Sequence, residues 1–507
     1  MFLAVLALIS ATTSHAMDLD WSGQFRAEAH WVKNYNLDNG LIPGTDPRNT
    51  SGGYYIPGGG SDSAHFQTLF MRLRPKLIVN DNVYIKSEFW LGNPIFGFYG
   101  DSAPFNRDER QYYSTQSRGS SITAQRFWAE FLTDVGTVQV GRAPLDWGLG
   151  IVWRAGDGLF DRYQSTGDVV RLISKFGSFS FIPSVVKYSL GNNIGGAYNQ
   201  VAGGSAQGGG GVSDYSLEFK YENPDEDFEG GVNFIKRIAG AAQFAGDPNS
   251  GFLGVGNNAG TNAAQAPSGV NYNTWDLYGK KKFGKITLAA ELPITSGDIA
   301  GLEYKTFAAA LEGKVDWTDS WETNVRAGHA PGQPNISGAS TDKYRAFYFN
   351  PNYKLGLIMF NYQLRNFAGP NSQNNPGTAA ASLSSPYDNP IVNANYLNVG
   401  GAYKTDKWRF KANYIVAGAR EAAAGTQGFF NTWDHRYVGK AAAAPDQKTS
   451  LGWEMDYGLE FHWDEGFVLG ADAGWFFPGE FYKFSNTATE NNTNSVFATV
   501  FRAGVNF

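Results

Sequence analysis

The chain contains no cysteine. That absence excludes a disulfide scaffold, a zinc–thiolate centre and a thiol nucleophile together. Long apolar runs are equally scarce. Mean hydropathy is −0.33, and the one sustained apolar stretch is residues 1–9. A bundle of membrane-spanning helices, each needing about 20 apolar residues, is therefore excluded. Charge is sparse too: 17% of residues are charged, against about 25% in a typical soluble domain. The balance, 47 Asp+Glu against 41 Lys+Arg, argues against a nucleic-acid-binding face. What the chain has in quantity is aromatics and glycine, with 37 Phe, 26 Tyr, 14 Trp and 62 Gly in 507 residues. That composition suits a β protein with a different solvent on each of its two faces.

Residues 1–16 read as a secretory signal peptide, with an apolar stretch over 2–9 and Ser14-His15-Ala16 as a small-x-small cleavage site. No Lys or Arg precedes the apolar stretch, which departs from the usual pattern; a short N-terminal helix is the alternative. The mature chain is expected over 17–507, exported and without a helical anchor.

The mature chain opens with Leu19, Trp21, Gly23, Phe25, Ala27, Ala29 and Trp31 alternating with Asp20, Ser22, Gln24, Arg26, Glu28 and His30. A period of two sustained this long is strand. The same alternation returns over 69–79, 277–294, 408–416 and 451–463. Some of these stripes carry aromatics near both ends, Trp21 and Trp31 in the first and Trp453 and Trp463 in the last, as the interfacial girdles of a transmembrane barrel do. They also supply the 9–11 or so residues that a tilted membrane strand needs.

Connections alternate between short and long. Short polar turns are expected at 80–82, 134–136, 176–178, 223–227, 283–285, 317–320, 351–353, 404–407 and 464–466. Long loops are expected at 34–64, 92–120, 143–167, 191–212, 238–270, 296–302, 331–342, 363–391, 418–450 and 478–494. Low-complexity segments (202–211, 239–270, 379–385) all fall in long loops. The pattern predicts an all-β, closed antiparallel transmembrane β-barrel of twenty strands, with eighteen as the alternative because the strands at 137–142 and 343–350 are weakly marked. Short turns would face the periplasm and long loops the exterior.

The last strand carries Phe497, Thr499, Phe501, Ala503, Val505 and Phe507 on one face. A final strand ending in Phe resembles the assembly signal of Gram-negative outer-membrane barrels, and the whole mature chain resembles the porin-type members. Gly141-Arg142-Ala143-Pro144, Trp147-Gly148-Leu149-Gly150, Asp161-Arg162-Tyr163 and Phe349-Asn350-Pro351-Asn352-Tyr353 resemble segments of uncharacterised outer-membrane barrels of predatory and myxobacterial lineages. They are also loosely similar to alginate-export barrels. The resemblance implies outer-membrane localisation, and as partners outer-membrane lipid, lipopolysaccharide, the barrel assembly machinery and small hydrophilic solutes. It leaves room for a homo-oligomer.

Twenty strands at about 4.8 Å spacing and about 40° tilt enclose a backbone diameter of roughly 40 Å, which side chains alone do not fill. The first strand begins too early for an N-terminal plug domain, so the chain's own loops are expected to narrow the lumen. The candidate is the segment 143–167 with its flanks. It holds Arg142, Arg154, Arg162 and Arg171 against Asp146, Asp157, Asp161 and Asp168, together with Trp147, Trp153, Phe160 and Tyr163. Folded inward, it would set opposed charges across a constriction; folded outward, its charges would pair at an extracellular surface. Strict alternation points Arg142 at lipid, and a bulge at Gly141 is expected to turn it inward. The lumen wall also looks segregated. Arg26, Arg72, Arg74, Lys76, Lys86 and Arg126 gather near the first strands; Glu454, Asp456, Glu460 and Asp472 gather near the last, bordering Asp20 and Glu28.

Other chemistry is not signalled. His30, His65, His329, His435 and His462 show no metal-ligand spacing, and no Gly-x-Ser-x-Gly elbow or phosphate loop occurs. Asp225, Glu226, Asp227 and Glu229 read as a solvated turn. No enzyme, cofactor or metal is expected. The leading function is a passive outer-membrane porin for small hydrophilic solutes and ions. The alternatives are a selective or polysaccharide-export channel and a structural or adhesive barrel with a blocked lumen.

Overall fold

The computed structural model describes residues 18–35, 37, 63–92, 122–188, 212–239, 270–299, 302–335, 343–362, 364, 389–431, 436–464 and 466–507. The expected signal peptide lies outside the described residues, as do His435, the segments 202–211 and 379–385, and most of 239–270.

Alternating side chains build the strands. In chain order they are β1 (Asp18–Lys33), β2 (Ser63–Asn80), β3 (Val83–Leu91), β4 (Ile122–Thr133), β5 (Gly136–Pro144), β6 (Thr166–Phe176), β7 (Phe179–Lys187) and β8 (Ser213–Asn223). There follow β9 (Phe228–Ala239), β10 (Val270–Phe283), β11 (Ile286–Ile299), β12 (Leu302–Phe307), β13 (Ala309–Asp316), β14 (Trp321–Ala330) and β15 (Lys343–Tyr344). The last are β16 (Ala394–Lys404), β17 (Trp408–Ala419), β18 (Gly428–Asn431), β19 (Arg436–Gly439), β20 (Ser450–His462), β21 (Phe467–Pro478) and β22 (Val496–Asn506).

Eighteen of these strands close a ring. Each of β1 to β11 pairs with the next, and the ring continues through β13, β14, β16, β17, β20, β21 and β22 back to β1. Closure runs from Gln24↔Asn506 to Lys33↔Phe497. It ends in a reciprocal backbone pair, with Gly23 N donating to Phe507 O at 2.8 Å and Phe507 N to Gly23 O at 3.0 Å. The remaining strands lie outside the ring: β12 pairs with the upper part of β11, β15 runs parallel to β12, and β18–β19 is a separate hairpin in the connection from β17 to β20.

Eight of the nine expected short turns join ring strands. At Gly284, φ is +59, the left-handed geometry a tight two-residue hairpin uses. The ninth, at 351–353, is not a strand-to-strand turn, and 343–350 is not a ring strand. The count is therefore eighteen. The physical reason lies in residues 355–360, Leu-Gly-Leu-Ile-Met-Phe. They form one apolar run without a polar face, which neither lipid-and-water solvation nor a strand's alternation can accommodate, and they lie inside the barrel with Leu355, Ile358, Met359 and Phe360 buried.

Outward positions are apolar and exposed. Val140 (42%), Val170 (57%) and Val399 (44%) lie mid-strand on this outer band, and Leu288 (51%) lies on it nearer a short turn. Trp21, Phe176, Phe179, Phe283, Trp317, Trp321, Trp408 and Trp463 are exposed beside the short turns. Near the other rim Trp31, Phe497 and Trp475 pack at ring separations of 5.7 and 4.6 Å, and Trp453 stacks on Phe477 at 4.0 Å. Only a bilayer solvates such a surface.

Candidate functional site

Among the described residues, two connections carry long segments that fold back inside the ring. The first, residues 145–165 between β5 and β6, buries Leu145, Trp147, Ile151 and Trp153 to 4% exposure or less. Part of it packs on Ala143, Val169, Val186 and Ile235, inward residues of β5, β6, β7 and β9. Its backbone polar groups then need partners, and the wall supplies them. Arg26 Nη1 donates to the carbonyls of Leu159 (2.8 Å) and Asp161 (2.7 Å). Gln24 Nε2 donates to Asp157 O at 2.9 Å, and Arg126 Nη2 to Ala155 O. In the opposite sense, Glu291 Oε2 on β11 accepts from Leu149 N at 2.5 Å and Ile151 N at 3.4 Å. Gly148 permits this approach: its φ is +58, and a Cβ there would stand 2.7 Å from Glu291 Oε2.

One loop carboxylate gathers three wall arginines. Asp157 Oδ1 accepts from Arg74 Nη2 (2.5 Å) and Arg126 Nη1 (2.7 Å), with Arg72 Nη1 at 3.9 Å. Behind them Glu88 on β3, 1% exposed, faces the same arginines. Arg74 Nε donates to its Oε2 at 2.9 Å and Arg126 Nη1 at 3.3 Å, while Arg72 Nε is 3.5 Å from its Oε1. Trp90 Nε1 (2.7 Å) and Gln164 Nε2 (2.5 Å) complete its shell. Arg72 and Arg126 are buried, but the Asp157 side chain is 49% exposed. Partial burial works against the Asp157 charge; Arg126, Arg74 and Arg72 outweigh it and hold the carboxyl below its ordinary range.

The second inward connection runs from β14 to β16, and its segment 347–362 packs inside the ring. Phe349, Tyr353, Leu355, Ile358, Met359, Phe360 and Tyr362 are each 4% exposed or less. They pack on small and branched inward residues including Ala308, Ala310, Ala330, Ile415, Ala417, Ala498 and Val500. The clasp has the same form as before. Glu454 accepts from Ile358 N (2.7 Å) and Met359 N (2.5 Å), Asp456 accepts from Leu357 N (3.0 Å), and Arg326 donates to Lys354 O (2.7 Å) and Leu355 O (2.9 Å). His30 Nδ1 meets Tyr362 Oη at 2.7 Å.

The two loops also bind each other. Asn350 N donates to Ile151 O at 2.8 Å, and Asn350 Nδ2 to Ser165 Oγ at 2.9 Å. Asn352 Oδ1 accepts from Arg162 N (3.1 Å) and Tyr163 N (3.0 Å), while its Nδ2 donates to Tyr163 O (2.5 Å).

The remaining residues singled out in the sequence are spread around this pair. Arg162 Nη2 donates to the buried Glu28 at 2.7 Å, and Arg154 pairs with Asp161 at 3.7 Å. Asp146 Oδ1 accepts from Ala155 N at 2.9 Å, and Arg171 contacts Gln139 on the wall. Lys86 meets Glu130 at 2.9 Å and Lys76 meets Asp20 at 3.7 Å. Glu460 and Asp472 share Lys411 at 2.5 and 3.8 Å, and Asp472 also contacts Arg502. Arg142 and Asp168 stand apart. The β4–β5 and β5–β6 registers run unbroken through Gly141, so no bulge turns Arg142 inward. It pairs across strands with Asp168, Nε to Oδ1 at 2.7 Å and Nη2 to Oδ2 at 3.1 Å, on the outward face that carries Val140 and Val170. A neighbouring carboxylate at the strand end is what keeps that arginine outside.

Glu88, Glu291, Arg326, Asn350 and Asn352 were not singled out as site residues from sequence. Glu88 was readable, as the charge between Lys86 and Trp90 on one strand face. The others bind loop backbone, and nothing in a sequence marks that.

No family model matches this chain, and no curated protein matches it. Similar solved structures include OccK2 (OpdF) of Pseudomonas aeruginosa, 8% identical with a TM-score of 0.48, covering 97% of this chain and 98% of that one. The anion-selective porin of Comamonas acidovorans is 9% identical, with a TM-score of 0.38 and coverage of 97% and 100%. OmpT of Vibrio cholerae, an outer membrane protein, is 10% identical, with a TM-score of 0.36 and coverage of 98% and 100%. At these values no residue role passes from them to this chain.

Proposed function

We propose that this chain is an outer-membrane channel through which small hydrophilic solutes and ions diffuse, with its constriction set by the first inward loop. The observation that carries the reading is the solvent division of the ring: an apolar exposed exterior, and an interior in which part of the charge keeps contact with water. Asp157 is 49% exposed, Arg154 37%, Arg409 37% and Lys314 43%. Eighteen strands at about 4.8 Å spacing and about 40° tilt enclose roughly 36 Å at the backbone, room for two loops and a water path. In this reading Arg154, Asp157 and Asp161 meet permeant ions beside Arg74, while Arg126 and Arg162 hold the loop to the wall. Lipid and lipopolysaccharide surround the aromatic girdles, and the assembly machinery reads the terminal strand.

One observation favours a second reading, a structural barrel with a blocked lumen: the apolar run at 355–360, in which Leu355, Ile358, Met359 and Phe360 are buried. A polysaccharide exporter fits less well, since the buried lumenal arginines are engaged by loop carbonyls and carboxylates. Single-channel recording of the purified mature chain in planar bilayers separates the readings. Discrete ohmic steps with a defined reversal potential in a salt gradient are expected. Reconstituted, folded protein without conductance would replace the channel reading by the blocked barrel.

A further inference from the structure

Beneath the first inward loop the wall carries a group of polar atoms that the protein leaves unserved. Asp276 on β10 and Glu291 on β11 are 0% and 1% exposed. Asn233 on β9, directly across from Asp276, is also 0% exposed. Both oxygens of Asp276, Oε1 of Glu291, and Oδ1 and Nδ2 of Asn233 have no hydrogen-bond partner of normal geometry. The Asp276 and Glu291 carboxyls nevertheless stand within reach of each other, and the Trp147 indole faces Asp276. Among the described residues no Lys, Arg or His forms an ion pair with either carboxyl. Lys220 on β8 lies over the Trp147 ring at 5.2 Å, but pairs with Glu218 at 3.2 Å.

Two adjacent buried carboxylates without a counter-charge are strongly unfavourable. A proton shared between them would serve one oxygen of each and leave the Asn233 carbonyl unserved. A divalent cation neutralises both carboxylates and takes the amide oxygen as well. Four free oxygens from three side chains are hard donors, and calcium fills the rest of a six- to eight-oxygen shell with backbone carbonyls or water in flexible geometry. We propose that Asp276, Glu291 and Asn233 form a site for a hard divalent cation of the calcium type. Through Glu291, whose other oxygen holds Leu149 N and Ile151 N, the cation fixes the first inward loop to the wall. This is independent of whether the lumen conducts.

Trp147 beside the site provides the probe. The mature chain, refolded in detergent free of lipopolysaccharide and stripped with EDTA, is titrated with terbium near neutral pH while tryptophan is excited. Saturable terbium emission displaced by calcium is expected, together with a rise in the unfolding temperature on adding calcium. Asp276→Asn and Glu291→Gln should lose both signals, and Asn233→Ala should weaken them. Asp225→Asn with Glu226→Gln, at the exposed periplasmic turn, should leave both unchanged. The proposal is overturned if wild type shows neither signal, if folded Asp276→Asn keeps both, or if the turn variant abolishes them. Should a site variant fail to show the heat-modifiable migration of a folded barrel, the wild-type titration and the turn variant decide alone.

Discussion

Three guanidinium groups meeting one half-exposed carboxylate make Asp157 the most informative single residue in the lumen. Its charge opposes the net positive charge of Arg72, Arg74 and Arg126. Removing it with Asp157→Asn should shift ion selectivity toward anions, read as a change of reversal potential in a salt gradient; an unchanged potential would place the loop outside the permeation path. The pH response has a definite sign. A carboxyl held below its ordinary value of 3.8 in the folded state stabilises the docked loop fully above that value. The contribution is lost only as pH falls below it, through the lowered value. Conductance and selectivity should thus stay constant on acidification until pH drops below about 4. A transition well above that would assign gating to another group. Arg162 has a different role. Its partner Glu28 is 2% exposed, so Arg162→Gln removes the nearest cation from a buried carboxylate and leaves it Arg26 and His30 at 4.0 Å and Thr68 Oγ1 at 3.5 Å. A loss of about 3 kcal/mol in unfolding free energy by denaturant titration is expected, whereas an exposed pair would cost well under 1 kcal/mol.

At the scale of elements, both inward loops obey one rule: wall carboxylates take loop amides and wall arginines take loop carbonyls. This lets irregular backbone sit inside a barrel without unsatisfied peptide groups. It also explains the apparent segregation of wall charges. Glu454 and Asp456 are acidic because they face N–H groups at 357–359. Arg26 and Arg126 are basic because they face C=O groups at 155, 159 and 161. The link between the loops is concentrated in Asn352. Its three hydrogen bonds, at about 1 kcal/mol each, hold the two segments as one body. Asn352→Ala should weaken that contact by about 3 kcal/mol and appear as faster flickering between conductance levels, with faster proteolytic cleavage in the first loop. Wild-type current noise and cleavage rate would show that each loop is held by its own clasp alone.

For the whole molecule, stability is set by a lipid-facing exterior and by closure of the ring. Val399 lies mid-strand on the exposed band, 44% accessible. Val399→Arg should destabilise the lipid-folded barrel by about 2–4 kcal/mol, measured by folding into lipid vesicles at graded denaturant. No effect would place that face in water. Closure ends in the reciprocal Gly23–Phe507 backbone pair. Deleting Phe507 removes that pair and the terminal aromatic, and should lower the amount of protein in the outer membrane. Molecules that do fold should retain wild-type unitary conductance. Normal membrane levels of the truncated chain would show that the last residue is dispensable for assembly.

The strand ladder was legible in the sequence because its cause is local. Each outward residue meets lipid and each inward one meets polar surroundings, so period two is written along every strand, and the eight hairpin turns carry their own polar signatures. The tight pairing of β1 with β22 followed from the same stripes. The contents of the lumen were not legible, because which backbone groups need partners depends on which loops enter. The segment Phe349-Asn350-Pro351-Asn352-Tyr353 has the composition of a hairpin turn, and only the lumen, large enough to take an apolar segment, makes it part of an inward loop instead. Arg142 likewise depended on its neighbour: Asp168 lies 26 residues away in the chain and directly across the β5–β6 ladder. Sequence alone determined the faces, the turns and the membrane-barrel class. The strand count, the partners of each charge and the second inward loop were decided by closure, because a ring sets its own diameter and its interior is filled by whatever chain can satisfy the wall.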